Sequence, residues 1–467
     1  MRVGWWAVAA LSGLLGLGSF ACAGERDPRP PILLITLDTT RPDRLGLYGY
    51  AHDTSPHLDA LARDSVVYTR ALSTSSWTLP AHASLFTGKF TSSHGARYDR
   101  LGPLRLLDAI DGRPNWADFR ARGLSPGEVT LAETLGEAGY ATGAVVAGPW
   151  MKRIFGLAKG FQHYDDSDIT SVAGRLAPSV TDAAIEWLEG VRDGPFLLFL
   201  NYYDPHGPLN TPLPFVEAVD PDGSRRGRKT THARQSLYYD AEIRFMDHHL
   251  GRLLDRLKAW GLYEDTWILV TADHGELLGE HGKRGHGKYL TQEELQVPLI
   301  VKHPRGEVSP GRDDTPVQLT DLFPWICRRL GLDVPAGVQG GAPPEVGHPL
   351  VAEIYPLAAA SRDGDWRALY EGDFKFLWSS RGNHQLFDLA KDPEELDNRI
   401  HADPERSRDM GRRLAAYLAG LPPPAPAPEG GEIDAETRKA LQSLGYIDAP
   451  ADAPSGSAAP GGEGASR

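Results

Sequence analysis

Two acidic side chains follow apolar runs of the sequence, at points where a strand would end. Asp38 comes directly after the run 31–37, and Asp273 and His274 follow the run 266–271. Adjacent Asp and His side chains at the end of a strand can turn toward one ion, and a mixed carboxylate and imidazole shell suits a divalent cation. Asp38 alone could equally cap the next turn. The pattern predicts a metal site formed by two strand ends.

One hydroxyl stands at a predicted helix start. Thr78 is followed by Pro80, by small and apolar residues and by Gly88, which is the usual order of helix start, body and stop. The same segment carries His82. Taken alone, Thr78 is a helix cap. Together with a metal it becomes a candidate nucleophile, because metal coordination is a known way to activate a hydroxyl.

Further polar side chains follow other strand ends. His206 lies between Pro205 and Gly207 after the apolar run 195–201, a setting that favours function over packing. His286 and Lys288 lie in a glycine-rich loop, and glycines allow such a loop to fold back over a site. A solvated surface loop is the alternative interpretation. We therefore predict catalytic roles for Thr78, His82, His206, His286 and Lys288.

The elements that must position these residues alternate between apolar strands and amphipathic helices. Such alternation predicts an α/β fold with a mostly parallel sheet, and ligands of such sheets bind outside the carboxyl ends of the strands. The predicted strands are 31–37, 66–68, 141–146, 195–201, 266–271 and 297–301, and the predicted helices are 54–62, 131–138, 180–188 and 236–260. Short antiparallel strands at 366–370, 374–378 and 385–389 and a helix at 405–421 predict a small C-terminal α+β unit.

Length and charge limit the classes of protein. With 467 residues and 41% hydrophobic content, the chain exceeds the usual size of one domain. The net charge of -13 argues against nucleic-acid binding, because no basic surplus is available to neutralise phosphates. The predicted organisation is a signal peptide at 1–22, a catalytic domain at 30–345 and a small C-terminal unit at 350–421. Residues 422–467 are predicted to form a linker, a short helix at 434–444 and a disordered tail at 451–467.

The N-terminus resembles an export signal, with a basic start and an apolar run too short to span a bilayer comfortably. Cys22 is placed for lipidation as in a bacterial lipoprotein, although Ala21-Cys22-Ala23 also fits an ordinary signal peptidase. We expect a bacterial cell-envelope protein with a possible lipid anchor. Cys327 is the other cysteine, and we expect it to be buried rather than reactive.

Together, these segments resemble the sulfatase family of the alkaline phosphatase superfamily over nearly the whole mature chain. The resemblance implies a three-layer α/β sandwich with a large mixed, mostly parallel central sheet and a small C-terminal antiparallel sheet. The segments that carry it are Leu37 to Asp43 with Tyr48-Gly49, Thr78 to Gly88, Asp204 to Pro208, Asp273 to Glu276 continuing to Val297-Pro298, and Leu386 to Leu389 followed by Asp392 to Glu394.

The resemblance also implies a ligand set. Asp38, Asp273 and His274 would hold one divalent metal together with Thr78 as the bound nucleophile. The remaining cationic or neutral groups, His206, His286 and Lys288, would grip the oxyanion of a small anionic ester, or the two histidines would help to hold a second ion. Calcium, magnesium, manganese and zinc all remain open.

The sequence departs from the family at the nucleophile. Sulfatases carry Cys or Ser in C/S-x-P-x-R and convert it to formylglycine, whereas this chain has Thr78 and, in place of the arginine, His82. Threonine cannot become formylglycine, because its β-carbon carries a methyl group. The T-x-P-x-H pattern is similar to superfamily phosphodiesterases and phosphotransferases. We therefore predict action on phosphate mono- or diesters or phosphonate esters, with a sulfuric ester hydrolase as the alternative and an inactive envelope binding protein as a third hypothesis.

Overall fold

The computed structural model describes Met1 and residues 29–112, 119–226, 231–356 and 364–426. The predicted signal, Cys22 and the helix predicted at 434–444 lie outside the described residues. Within the described ranges, no helix has the length and apolar character needed to cross a membrane.

The described elements follow the predicted alternation and add short strands. The strands are β1 (Ile32–Leu37), β2 (Val66–Tyr68), β3 (Ala71–Leu72), β4 (Arg97–Tyr98), β5 (Leu104–Arg105), β6 (Arg120–Arg122), β7 (Ala141–Val145), β8 (His163–Asp165), β9 (Phe196–Tyr202), β10 (Trp267–Thr271), β11 (Leu299–Lys302), β12 (Gly311–Asp313), β13 (Val317–Gln318), β14 (Leu350–Ile354), β15 (Trp366–Glu371), β16 (Phe374–Ser379) and β17 (Gln385–Asp388). The α-helices are α1 (Pro56–Ala62), α2 (Thr78–Thr87), α3 (Thr91–His94), α4 (Leu131–Glu137), α5 (Ala177–Val191), α6 (Leu213–Val219), α7 (Thr231–Ala259), α8 (Gln292–Leu295), α9 (Leu319–Arg329) and α10 (Pro404–Gly420).

The largest sheet has eight strands in the order β12-β2-β11-β10-β1-β9-β7-β8. Strand β1 lies between β10 and β9 and is parallel to both, whereas β11 is antiparallel to its neighbours β10 and β2. Every residue of β1, β9 and β10 is buried, as the continuous apolar runs predict for strands covered on both faces. The predicted mixed, mostly parallel sheet is confirmed.

Alternate residues of β1 enter two different cores. Leu33 and Ile35 pack with α1, α5 and α7 on one face of the sheet, and Ile32 and Leu34 pack with α2, α4 and α9 on the other. Because side chains along a strand alternate between faces, the sheet is the middle layer of a three-layer sandwich. Cys327 is buried in the second core, and burial raises the pKa of its thiol to about 12.

The C-terminal unit contains the predicted antiparallel strands and one more. Strand β14 pairs with β15, so that the sheet has four strands in the order β14-β15-β16-β17. Helix α10 covers this sheet through a small apolar core that includes Phe376, Leu386, Met410 and Leu414. The run that forms β14 is short and follows a segment rich in glycine and proline, so its sequence did not indicate a strand.

The distance between α5 and the sheet depends on a glycine. A Cβ at Gly143 of β7 would lie 2.5 Å from the ring of Trp187 on α5. We expect Gly143→Ala to lower the free energy of unfolding by about 1–3 kcal/mol, the usual cost of overpacking. Gly190, on the same helix, faces open space, so Gly190→Ala should stabilise the protein by up to about 1 kcal/mol.

Thermal denaturation of both variants beside the wild-type protein checks this pair. A Gly143→Ala protein with an unchanged midpoint would show that the helix layer has room to move away from the sheet.

Candidate active site

The pairing of the central strands brings two carboxylates to one edge of the sheet. Thr36 of β1 is aligned with Thr271 of β10 on one side and with Asn201 of β9 on the other. Asp38 lies two residues after Thr36 and just beyond the end of β1, and Asp273 lies two residues after Thr271, the last residue of β10. Because the strands are parallel and in register, the two acids emerge next to each other, as their positions after two apolar runs predict.

Asp38, Asp273 and His274 form a compact group that fits a metal ion. One possible ligand atom from each lies within 4.8 Å of the others, and all three residues are fully buried. Both carboxylate oxygens of Asp38 and Oδ2 of Asp273 make no hydrogen bond of normal geometry. Buried oxygens without partners are costly, and a divalent cation would satisfy all of them.

The two carboxylates perturb each other. Burial and the adjacent negative charge of Asp273 raise the pKa of Asp38 well above its ordinary range. Burial acts in the same direction on Asp273, but His274, His82 and two backbone N–H groups outweigh it and hold the pKa of Asp273 below its usual value. The burial of two adjacent carboxylates therefore favours uptake of a proton or of a cation.

Thr78 is the first residue of α2, and the structure corrects the cap interpretation. The capping position belongs to Trp77, and no side chain caps the helix. The Thr78 hydroxyl instead lies 3.3 Å from Nε2 of His274. The candidate nucleophile is thus beside the metal group and in the first turn, where backbone N–H groups lack partners within the helix and favour an anion.

His82 contacts residues of the site through both of its ring nitrogens. Its Nδ1 lies 2.8 Å from the Thr78 carbonyl oxygen, and its Nε2 lies 2.9 Å from the Thr36 hydroxyl. The same Nδ1 is 3.6 Å from Oδ2 of Asp273, and burial lowers the pKa of the ring. Both nitrogens of His82 are engaged within the protein, so its geometry fits a role in holding Thr78 and Asp273 rather than contact with a substrate.

The loop after β10 returns over the site, as its glycines predict. The ring of His286 lies 4.5 Å from that of His274 and 4.9 Å from that of His206, centroid to centroid. His206 is stacked on Tyr203 at 4.3 Å. Burial is the main cause that lowers the pKa of both His206 and His286, so both rings are neutral at pH 7. The histidines predicted from three separate segments therefore meet.

Glu276 joins this group, although the sequence did not single it out as a site residue. Its Oε2 lies 2.8 Å from Nδ1 of His286. Burial raises the pKa of Glu276 to about 7, against the opposing effects of His206, His274, Arg41 and Lys288. The positive charge of Lys288 also lowers the pKa of His286, and the side chain of Lys288 is half-buried. The signal for Glu276 was its position two residues after His274.

Two further residues hold the site together. The hydroxyl oxygen of Ser73, ahead of α2, lies within hydrogen-bond distance of the backbone carbonyls of Ser75 and Asp273, and its single proton can be donated to either. The buried guanidinium of Arg41 donates to the carbonyl oxygen of Glu276 at 3.0 Å and is paired with carboxylates on both sides. These contacts tie the Thr78 segment, the end of β1 and the end of β10 to one another. The sequence carries no signal for Ser73, and Arg41 was noted only as part of the segment Leu37 to Asp43.

A second group of possible metal ligands lies outside this site. It consists of His281, Glu293 and Glu395. The ammonium group of Lys375 is buried and lies 2.6 Å from a carboxylate oxygen of Glu395. It therefore compensates the negative charge of Glu395 without a metal ion. Glu395 also accepts a backbone N–H from Gln292 at 2.9 Å, so its role is to attach the C-terminal unit to the larger one.

Comparison with known proteins agrees with this geometry. The sequence model of the sulfatase family matches residues 30–332, and the chain belongs to that family. It is therefore an ester hydrolase of the sulfatase and alkaline phosphatase superfamily, whose members typically bind a divalent metal.

Some similar proteins are named as sulfatases, and others are named as members of the alkaline phosphatase superfamily or as phosphonate hydrolases. The ulvan-active sulfatase of Formosa agariphila is 25% identical over 419 residues, covering 80% of this chain and 78% of the relative. The multifunctional alkaline phosphatase superfamily protein PehA of Trinickia caryophylli is 25% identical over 436 residues, covering 74% and 81%. The phosphonate monoester hydrolase of Agrobacterium radiobacter has the same fold, with a TM-score of 0.65, 21% identity and coverage of 84% and 96%.

Metal binding should stabilise the protein through Asp38. We expect protein stripped with EDTA to gain about 2.7 kcal/mol of stability when the metal concentration is 100 times its dissociation constant. Asp38→Asn should abolish most of this gain. Asp182→Asn, on the exposed surface of α5, should keep it. Thermal denaturation with magnesium, calcium, manganese and zinc measures the effect, and an equal gain in Asp38→Asn would exclude Asp38 as a ligand.

The metal-free protein should also show the proton on Asp38. Because the folded pKa of Asp38 is raised, this group favours the folded state most at low pH, and the contribution is lost as pH rises from the unfolded value of about 3.9 toward the folded one. Asn has no charge to bury. In EDTA, the stability of Asp38→Asn relative to wild type should therefore increase as pH rises above about 4, which denaturant unfolding at several pH values measures. A constant difference would contradict the assignment.

Proposed function

We propose that this protein is a metal-dependent hydrolase or transferase of small anionic esters in which Thr78 is the nucleophile. The observation that carries the proposal is the position of the Thr78 hydroxyl, 3.3 Å from Nε2 of His274 and at the first turn of α2. A hydroxyl at a helix start, next to a buried carboxylate and imidazole group, is placed to attack an anion bound at the same point.

In this mechanism, the chain's own groups bind and orient the ester. The start of α2 and Lys288 neutralise the charge on its non-bridging oxygens. Thr78 Oγ forms a bond to phosphorus and loses its proton, the bond from phosphorus to the ester oxygen breaks, and the alcohol leaves with one proton. Water then attacks phosphorus, the bond from phosphorus to Thr78 Oγ breaks, and Oγ takes up a proton from the water. This step releases the phosphate, phosphate monoester or phosphonate and restores the Thr78 hydroxyl. A cation bound by Asp38, Asp273 and His274 would supply the charge that activates the hydroxyl.

Thr78 favours phosphorus over sulfur as the reacting centre. Its methyl group prevents conversion to an aldehyde, so any covalent intermediate must be released by attack of water on the transferred group rather than by elimination from the side chain. We therefore propose phosphate mono- or diesters or phosphonate esters as substrates. The similarity to a relative named as multifunctional supports this breadth.

A sulfuric ester hydrolase is the second candidate, and the names of the relatives favour it. The family is named for sulfatases, and relatives with that name, including the ulvan-active sulfatase, match most of the chain. The third hypothesis, an inactive binding protein, has less support, because Asp38, Asp273 and His274 lie together and Thr78 contacts His274.

A panel of aryl phosphate, phosphodiester, phosphonate and sulfate esters tests the proposal. We expect the metal-loaded protein to turn over the phosphorus esters fastest. Thr78→Ala should lower kcat by roughly 10³-fold or more, because it removes the nucleophile. Thr78→Ser keeps a hydroxyl and is the matched control.

Acid quenching during turnover should also leave phosphate on Thr78, which peptide mass spectrometry detects. Turnover of sulfate esters alone would favour the second candidate. Unchanged activity in Thr78→Ala would remove Thr78 as the nucleophile under either candidate.

A further inference from the structure

We propose that Arg97 and Tyr355 form a subsite for a second anionic group of the substrate. The preferred esters then carry a phosphate, sulfate or carboxylate group in addition to the group that reacts at Thr78. The subsite lies where the C-terminal unit meets the larger unit. This inference rests on the proposed function in one respect, because it requires that an ester reacts at Thr78.

A cavity of about 310 Å³ lies at this boundary. It is lined by residues 97–100 of the larger unit and by residues 355–356 and Asp365 of the C-terminal unit. Ligand sites occur preferentially at boundaries between units of a fold, and their volumes begin at about 300 Å³. The cavity therefore has room for a charged group with a few atoms attached to it.

Two guanidinium groups contact the ring of Tyr355. The central guanidinium carbons of Arg97 and Arg367 each lie 4.2 Å from the centroid of this ring. The face of an aromatic ring attracts a cation, but two cations held this close to one ring also repel each other. The arrangement is more stable when each positive charge has an anion beside it.

Arg367 has such an anion within the protein. Its Nε lies 2.9 Å from Oε2 of Glu353, and one terminal nitrogen donates to the carbonyl oxygens of Ile354 and Trp366 at 3.2 and 2.7 Å. Among the residues that the structure describes, the guanidinium of Arg97 has neither a hydrogen bond nor an ion pair, although its side chain is half-buried. A guanidinium has five N–H donors in a planar fork that matches carboxylate, phosphate and sulfate oxygens. Arg97 therefore fits an anionic ligand.

The acidic residues that line the cavity have cationic neighbours of their own. Oδ2 of Asp99 lies 2.5 Å from Nε of Arg122, and Oδ2 of Asp365 lies 4.0 Å from a terminal nitrogen of Arg367. Arg100 is exposed at the same cavity and adds a further positive charge. The lining therefore favours an anion over a cation.

A short path connects the cavity with the cleft. Tyr355 follows Ile354, which is paired with Trp366 in the sheet of the C-terminal unit. The ring of Trp366 lies 6.5 Å from that of Tyr289, the residue after Lys288. One strand spacing of roughly 5 Å and one ring contact thus separate Tyr355 from the loop that carries Lys288. We expect one small molecule to reach both places.

Kinetics on matched esters tests the subsite. The panel contains an aryl phosphate and esters whose alcohol part carries a second phosphate, sulfate or carboxylate on spacers of increasing length. In wild type, the KM of the best of these esters should be roughly tenfold or more below that of the aryl phosphate. Arg97→Gln should remove this difference and should change kcat, and the KM of the aryl phosphate, by less than about threefold. An interaction made equally in the ground state and the transition state changes KM alone.

Three further variants separate binding from folding. Arg97→Lys keeps the charge without the planar fork and should retain part of the difference in KM. Arg256→Gln is the matched control, because Arg256 also stacks on an aromatic ring, that of Trp260, which packs on the other face of the large sheet. It should leave the difference intact. If Arg97→Gln does not fold, Arg100→Gln at its exposed position decides, and it should raise the KM of the best ester by roughly threefold.

Anomalous diffraction locates the bound anion. Crystals of the full chain are soaked in sodium selenate, because the tetrahedral selenate ion stands in for sulfate or phosphate. We expect a selenium peak in contact with Arg97 in wild type and none at this position in Arg97→Gln. A wild-type crystal without this peak overturns the subsite.

The outcomes separate the two proposals. Equal KM values for esters with one and with two anionic groups, at every spacer length, overturn the role of Arg97 in substrate binding. A selenium peak together with such equal values identifies a site for a free anion instead. If wild type hydrolyses none of the esters, the proposed function falls. In that case the selenium peak alone decides whether Arg97 binds an anion.

Discussion

The site depends on two carboxylates that the sheet holds close together. Asp38 and Asp273 leave adjacent parallel strands at the same level, and burial removes the water that would otherwise screen them. Two like charges in that position are unfavourable, so one takes up a proton or a cation enters. The cost of the arrangement is met by β1, whose every residue is buried between two other strands and two helix layers. A sheet whose central strand was less buried would hold the two acids less firmly at this distance.

The other site residues are arranged around this pair. Helix α2 presents Thr78 to His274, and His82 on the next turn of the same helix joins the Thr78 carbonyl to Thr36 of β1. Ser73 ties the segment before α2 to the end of β10. Thr78 is thus fixed relative to both strands from two directions. Such fixed placement matters because transfer of a charged group depends mainly on position and charge neutralisation.

Much of this could be predicted from sequence, because the strands that hold the site are long apolar runs and their polar ends are easy to find. Asp38, Asp273, His274 and the returning loop with His286 were located in this way. The local environment of each side chain could not be predicted. Whether Thr78 caps its helix or faces a histidine depends on one torsion and on β10, which is remote in sequence. The pairing of Glu276 with His286 depends on a hairpin bridge in the loop after β10, which leaves no periodic pattern.

Charge neutralisation and release of a covalent intermediate are two tasks that depend on different residues of this site. A buried carboxylate and imidazole group, a helix start and a lysine neutralise charge on a tetrahedral anion, and this works alike for sulfur and phosphorus. The release of the covalent intermediate depends instead on the atoms of residue 78. An aldehyde hydrate can expel the transferred group by elimination, but a threonine ester must wait for water. A site with Thr78 therefore needs a group that accepts a proton or a hydrogen bond from that water.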